Sequence, residues 1–157
     1  MSDPTTIAAT ARELLVHAPY ASLATVTASG APYASLVLTA DDGAGAPLLL
    51  LSDLAEHTKN LARDARASLL IGSADNTGDP LAASRVTFMG EAARITDDDA
   101  KAKFVAHHPS AATYAAFKDF ALYRLAVERI HLVAGFGRID WISGDQYRTA
   151  ASAISRH

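Results

Sequence analysis

With 157 residues, half of them hydrophobic and 20% charged, the chain holds enough apolar material for one packed domain and too much for a disordered one. Fourteen basic against 17 acidic residues leave a net charge of −3 with no basic cluster, which argues against a nucleic-acid partner. Cysteine is absent, which excludes disulfides, thiolate nucleophiles, iron–sulfur clusters and cysteine zinc sites and accords with a reducing compartment.

The start, Met1-Ser2-Asp3-Pro4-Thr5-Thr6, lacks the basic and apolar regions of a signal peptide. The longest strongly apolar run, Pro47 to Leu51, is far too short to cross a bilayer. A soluble cytoplasmic protein without a membrane partner is therefore expected.

Asp3 followed by Pro4 reads as an N-cap and first-turn proline. Ile7, Ala11, Leu14, Leu15 and Ala18 then recur at helical spacing, predicting an amphipathic helix over 4–17 that Pro19 ends. The period next changes to two. Strands are predicted over Tyr20 to Ala28 and Tyr33 to Ala40, separated by the Ser29-Gly30 turn. After a second turn at 41–45, Leu48 to Leu51 reads as a strand covered on both faces, completing a three-strand meander.

Asp53 and Glu56 are spaced as a capping box opening a short helix through Leu61 and Ala62. A strand over Ala67 to Ser73, a polar loop at 75–80 and a strand over Arg85 to Ile95 follow. Residues 97–118 are helical in pattern with a break at Pro109, and Leu122 to Trp141 alternates as a long strand or hairpin ending at Ser143-Gly144-Asp145. The sum is a mainly β (α+β) chain: about six or seven antiparallel strands closed into a small barrel with peripheral helices, because an open sheet would leave bare edges. No linker or repeat divides residues 1–157, so a single domain is expected.

Several blocks carry a resemblance. They are Ala21-Ser22-Leu23-Ala24-Thr25, Gly30-Ala31-Pro32-Tyr33-Ala34-Ser35, Leu51 to Leu61, Asp79-Pro80-Leu81, Ser84-Arg85-Val86-Thr87 and Gly135-Phe136-Gly137-Arg138. In this order they resemble the pyridoxamine 5'-phosphate oxidase-related FMN-binding split-barrel proteins, and within them the HugZ-like haem-utilisation group. The resemblance implies a split-barrel homodimer with FMN in a groove between subunits, an FMN-dependent oxidoreductase activity, and a small-molecule substrate that the sequence does not name. It implies cofactor contacts from Ser35, Ser52, His57, Thr58, Lys59 and Arg85. No catalytic residue is assigned, because the flavin carries the electrons.

The residues themselves are compatible with this. A strand ending at Ser52 and a helix start near His57 and Thr58 gather amides, a positive dipole end and hydroxyls where a phosphate binds. Two positions at which the oxidase carries an arginine and a lysine on the second strand hold Ser35 and Ala40 here. Arg85 suits either the phosphate or the ring's pyrimidine edge, and both assignments stay open.

Haem is the alternative ligand, with His157 and His131 as the histidines to consider, and a non-catalytic dimeric binding module is a third reading. His131 is otherwise expected to be a hydrogen-bonded wall residue. His107-His108-Pro109 lacks a third ligand at metal spacing and reads as a helix end. Gly135-Phe136-Gly137 reads as a bulge bending a long strand, and Trp141 and Tyr147 as core or interface packing.

Overall fold

The computed structural model describes residues 3–73, 78–135 and 137–154. The loop residues 75–77, Phe136 and His157 lie outside that set. Helix α1 (Pro4–His17) begins where expected, with the Asp3 carboxylate accepting from the Thr5 amide at 3.1 Å. Strands β1 (Ala21–Val26) and β2 (Pro32–Val37) form a hairpin, and Gly30 takes the positive φ of +85° that its turn requires. Next come β3 (Thr39–Asp41), β4 (Pro47–Ser52), α2 (Glu56–Arg63), β5 (Arg66–Gly72) and β6 (Arg85–Ile95). The chain continues through α3 (Asp98–His107), a 3₁₀ turn at Pro109–Ala111, α4 (Ala112–Ala115), β7 (Phe120–Val133), β8 (Ile139–Ser143) and α5 (Gly144–Ile154).

All pairings are antiparallel, in the order β2-β1-β5-β6-β7-β4-β3, with β8 pairing the C-terminal end of β7. The sheet curls until β2 comes back against β4, making the split barrel that the alternation implied. Eight described strands replace the expected six or seven. The expected strand over Tyr33 to Ala40 breaks at Leu38: β2 pairs β1, whereas β3 pairs β4. The three-strand meander is likewise corrected, since β4 runs between β3 and β7 and never pairs β2. Gly135 and Gly137, both at φ +76°, belong to the β7–β8 turn rather than to a bulge within one strand.

The bulge sits instead where Met89/Gly90 meet β7, so that Glu128 is the extra residue between Val127 and Arg129. A Cβ on Gly90 would collide with the Ala126 carbonyl, which makes glycine obligatory at this approach.

Two apolar layers result. Inside the curl, Leu23, Leu49, Leu51, Leu69, Phe88, Leu125 and Ile130 pack against α1 and α5. Outside it, Leu48, Leu50 and Leu122 are covered by Phe104, Ala111 and Ala115 of α3, the 3₁₀ turn and α4. This double cover explains the unbroken run in β4. Helix α5 was not anticipated, although its signal is present. The Ser143 hydroxyl accepts from the Gln146 amide at 3.1 Å, and the Ser143 amide donates to Gln146 Oε1 at 2.9 Å, a reciprocal capping box. The helix carries Tyr147 into the core, edge-on to Phe88, with its hydroxyl donating to the Gly45 carbonyl at 2.6 Å.

Candidate functional site

The junction between β4 and α2 assembles four of the six residues singled out from sequence. The Thr58 hydroxyl donates to the Ser52 carbonyl at 2.6 Å, and the Ser52 hydroxyl accepts from the Leu54 amide at 3.2 Å. Across the gap, Ser35 Oγ lies 3.0 Å from His57 Nδ1. Helix α2 is held over β1 by buried Asn60, which donates to Thr25 Oγ1 at 3.0 Å while its own oxygen accepts from Arg63 at 2.7 Å. His57 Nε2 is sealed from solvent with no partner among the described residues, and burial pushes the imidazole pKa below its ordinary value.

The expected Asp53–Glu56 capping box does not form. Helix α2 starts at Glu56 behind an Ala55 cap without a side-chain bond, while Asp53 is drawn to Arg94 at 3.7 Å. The last two sequence candidates do not join the cluster. Lys59 is exposed, because it lies about half a helical turn away from His57. Arg85 lies three strand steps from β2, ~14 Å across the sheet. It pairs with Gly72 on the outer face, whereas Ser35 shares the inner face with Leu23. Its guanidinium donates to the carbonyls of Leu81 at 3.0 Å and Ala83 at 3.4 Å, within its own loop.

The outer face is the second feature. Helices α3 and α4 cover it only over β3, β4 and the first half of β7. Elsewhere it is open. One cross-strand row runs Leu36, Ser22, Leu70, Thr87, His131, Trp141 through β2, β1, β5, β6, β7 and β8. In it Leu36 is 69%, Leu70 47% and Trp141 48% exposed. Directly opposed residues of an antiparallel pair share a face, so these side chains form one surface. The next row carries Ala24, Ser68, Met89 and Arg129, and there a cavity of about 450 Å³ opens between Val26, Pro32, Arg66, Met89 and Glu128.

His131 departs from expectation. Neither ring nitrogen makes a hydrogen bond among the described residues; the ring instead stacks on Trp141, centroids 4.2 Å apart and planes at 25°. Arg129 places its guanidinium carbon 4.2 Å from the Trp141 ring centre. Arg129 was not singled out from sequence, although the two-residue period of β7 puts it on the face of His131. His107 and His108 do not form a metal pair: their Nε2 atoms lie 3.0 Å from the Ala18 carbonyl and 2.7 Å from the Thr39 carbonyl. No cluster of three or more metal-ligating side chains occurs among the described residues. Nor is any described helix long and apolar enough to cross a membrane.

An antiparallel sheet curled around a helix-plugged core, with half its outer face bare, defines a split β-barrel. A Clostridium acetobutylicum protein related to general stress protein 26, of the pyridoxinephosphate oxidase family, shares this fold at 12% identity and a TM-score of 0.68, over 91% of this chain and 98% of that one. The family model described as "CREG, beta-barrel" matches residues 2–149, and the chain belongs to that family. It is 37% identical to a structure of a heme binding protein from Mycobacterium smegmatis, with a TM-score of 0.86 over 95% of this chain and 61% of that one. It is 34% identical over 109 residues, 66% of its length, to the chloroplastic non-canonical heme oxygenase HOZ of Arabidopsis thaliana. The chain spans only 32% of that plant protein.

Proposed function

We propose that this protein binds haem on the open outer face of its split barrel, as a cytoplasmic homodimer whose two outer faces meet around the ligand. The observation that carries the reading is the single uncovered row from Leu36 to Trp141. Exposed leucines on a sheet that already buries its other face mark an interaction surface. The residues fit a large planar, mostly apolar macrocycle bearing carboxylates. Leu70, Thr87 and Met89 provide the floor, the adjoining cavity of about 450 Å³ is of small-molecule size, and Arg129 offers a charge-assisted donor. When bound, haem supplies one-electron and oxygen chemistry; the protein supplies burial, orientation and charge. Similarity to the mycobacterial heme binding protein and to the plant heme oxygenase supports the same ligand.

FMN is the second reading, favoured by the Ser35–His57 pair beside the start of α2 and by the unpartnered His57 Nε2. Neither cation that the sequence suggested for a phosphate joins it: Lys59 faces solvent, and Arg85 lies on the opposite face. An FMN-dependent small-molecule oxidoreductase therefore ranks behind haem binding.

The visible spectrum of the purified full chain tests the choice, taken before and after titration with ferric haemin. A saturable Soret band is the expected result. Flavin absorbance, with FMN released into the supernatant on heating and no uptake of haemin, would replace haem by FMN.

A further inference from the structure

We propose that His131 is the protein ligand to the haem iron, held in place by Trp141, with Arg129 as the partner of a haem carboxylate. This rests on the haem reading above and names the residues that execute it.

An iron ligand needs an imidazole with a free nitrogen, a fixed ring and an apolar surface beside it for the macrocycle. His131 meets each requirement. It is half-buried near the β8 end of the open row, directly opposite Trp141 in the β7–β8 ladder. Stacking at 4.2 Å and 25° engages the faces of the two rings, which restricts rotation of the imidazole but leaves the nitrogens on its edge available. On its other side lies Thr87, and beyond that exposed Leu70, ~10 Å of sheet surface away.

The other described histidines are committed elsewhere. His107 and His108 donate to the Ala18 and Thr39 carbonyls at the end of α3, the helix that covers β3 and β4, and so stand away from the open row. His57 is bonded to Ser35 through one nitrogen and has the other sealed inside the protein. His17 ends α1 in the open, away from the sheet face.

Arg129 completes the arrangement. Its guanidinium carbon lies 4.2 Å from the Trp141 ring centre, and a contact through the guanidinium face does not use the N–H groups that a carboxylate would take. Iron ligand, ring support and anion partner thus come from alternate residues of one strand and their neighbour on the next.

Titration of ferric haemin into the full chain, His131→Ala and His131→Gln tests this, with exposed His17→Gln as the control and circular dichroism confirming the fold of each. The wild type and His17→Gln should give the same Soret band. Both His131 variants should shift it and weaken affinity at least about tenfold, the lower end of what perturbing a metal ligand's own support costs. Added imidazole should restore the wild-type band to His131→Ala. An unchanged band and affinity in both folded His131 variants overturns the assignment while leaving haem binding intact. Failure of the wild type to take up haemin overturns both.

Discussion

Ser35 Oγ and His57 Nδ1 meet at 3.0 Å and tie the second strand to the first turn of α2, 22 residues further along the chain. The opposite ring nitrogen is enclosed without a partner. A charged imidazole would leave a buried N–H⁺ unanswered there, so burial disfavours the charged ring and lowers its pKa. Ser35→Ala removes the remaining bond and should lower stability by about 1 kcal/mol, read from urea unfolding at neutral pH.

Acid sensitivity follows from the same physics. Burial lowers the pKa of both His57 and His108 below the ordinary imidazole value. Below about pH 6.5 the unfolded chain therefore binds protons that the folded one refuses, and stability falls as pH drops. The urea midpoint should be lower at pH 5.5 than at pH 7.5. A His57→Gln, His108→Gln double variant should lose part of that difference; an unchanged difference would assign the effect to other groups.

Tyr147→Phe deletes a hydroxyl that donates to the Gly45 carbonyl at 2.6 Å inside the protein. The carbonyl is left without this donor, so the variant should lose about 1–3 kcal/mol. Gly45→Ala attacks the same contact from the other side. Gly45 has φ +98°, and a Cβ there would stand 2.9 Å from the Tyr147 hydroxyl, so this variant should also unfold at lower urea.

Gly90→Ala should be the most damaging single methyl group in the sheet. Its Cβ would meet the Ala126 backbone carbonyl at the bulge, and backbone cannot swing aside as a side chain does. Destabilisation above about 4 kcal/mol is expected, seen as loss of soluble protein or of the cooperative thermal transition.

The proposed pairing of outer faces makes Leu70→Lys informative. Leu70 is 47% exposed at the centre of the open row, so the substitution costs the isolated fold little. Like charges brought together across a symmetric interface should separate the copies. Sedimentation should show the wild type as a dimer and the variant as a monomer; dimers in both would place the contact elsewhere.

Much of this protein is legible in one dimension because local patterns carry it. Asp3-Pro4 starts α1, Ser29-Gly30 turns the first hairpin, and Pro109 breaks the helical stretch after α3, all through backbone chemistry within a few residues. The capping box of Ser143 and Gln146 is equally local. Ser52, His57 and Thr58 lie within seven residues, so one strand end and one helix start bring them together, whereas Ser35 reaches His57 only through the fold.

Strand order was decided elsewhere. Nothing in the period of Tyr33 to Ala40 tells the chain to leave β1 at Leu38 and pair with β4; that follows from closing the sheet around a core shared by residues far apart in sequence. The same holds for the outer face. Alternation assigns His131, Arg129 and Trp141 to one side of their strands, but only the placement of α3 and α4 over part of the sheet determines which rows stay bare. Arg85 shows the converse: its local context suited a cofactor contact, and sheet geometry put it on the face opposite Ser35. A side chain's chemistry is local, whereas its neighbours are set by packing.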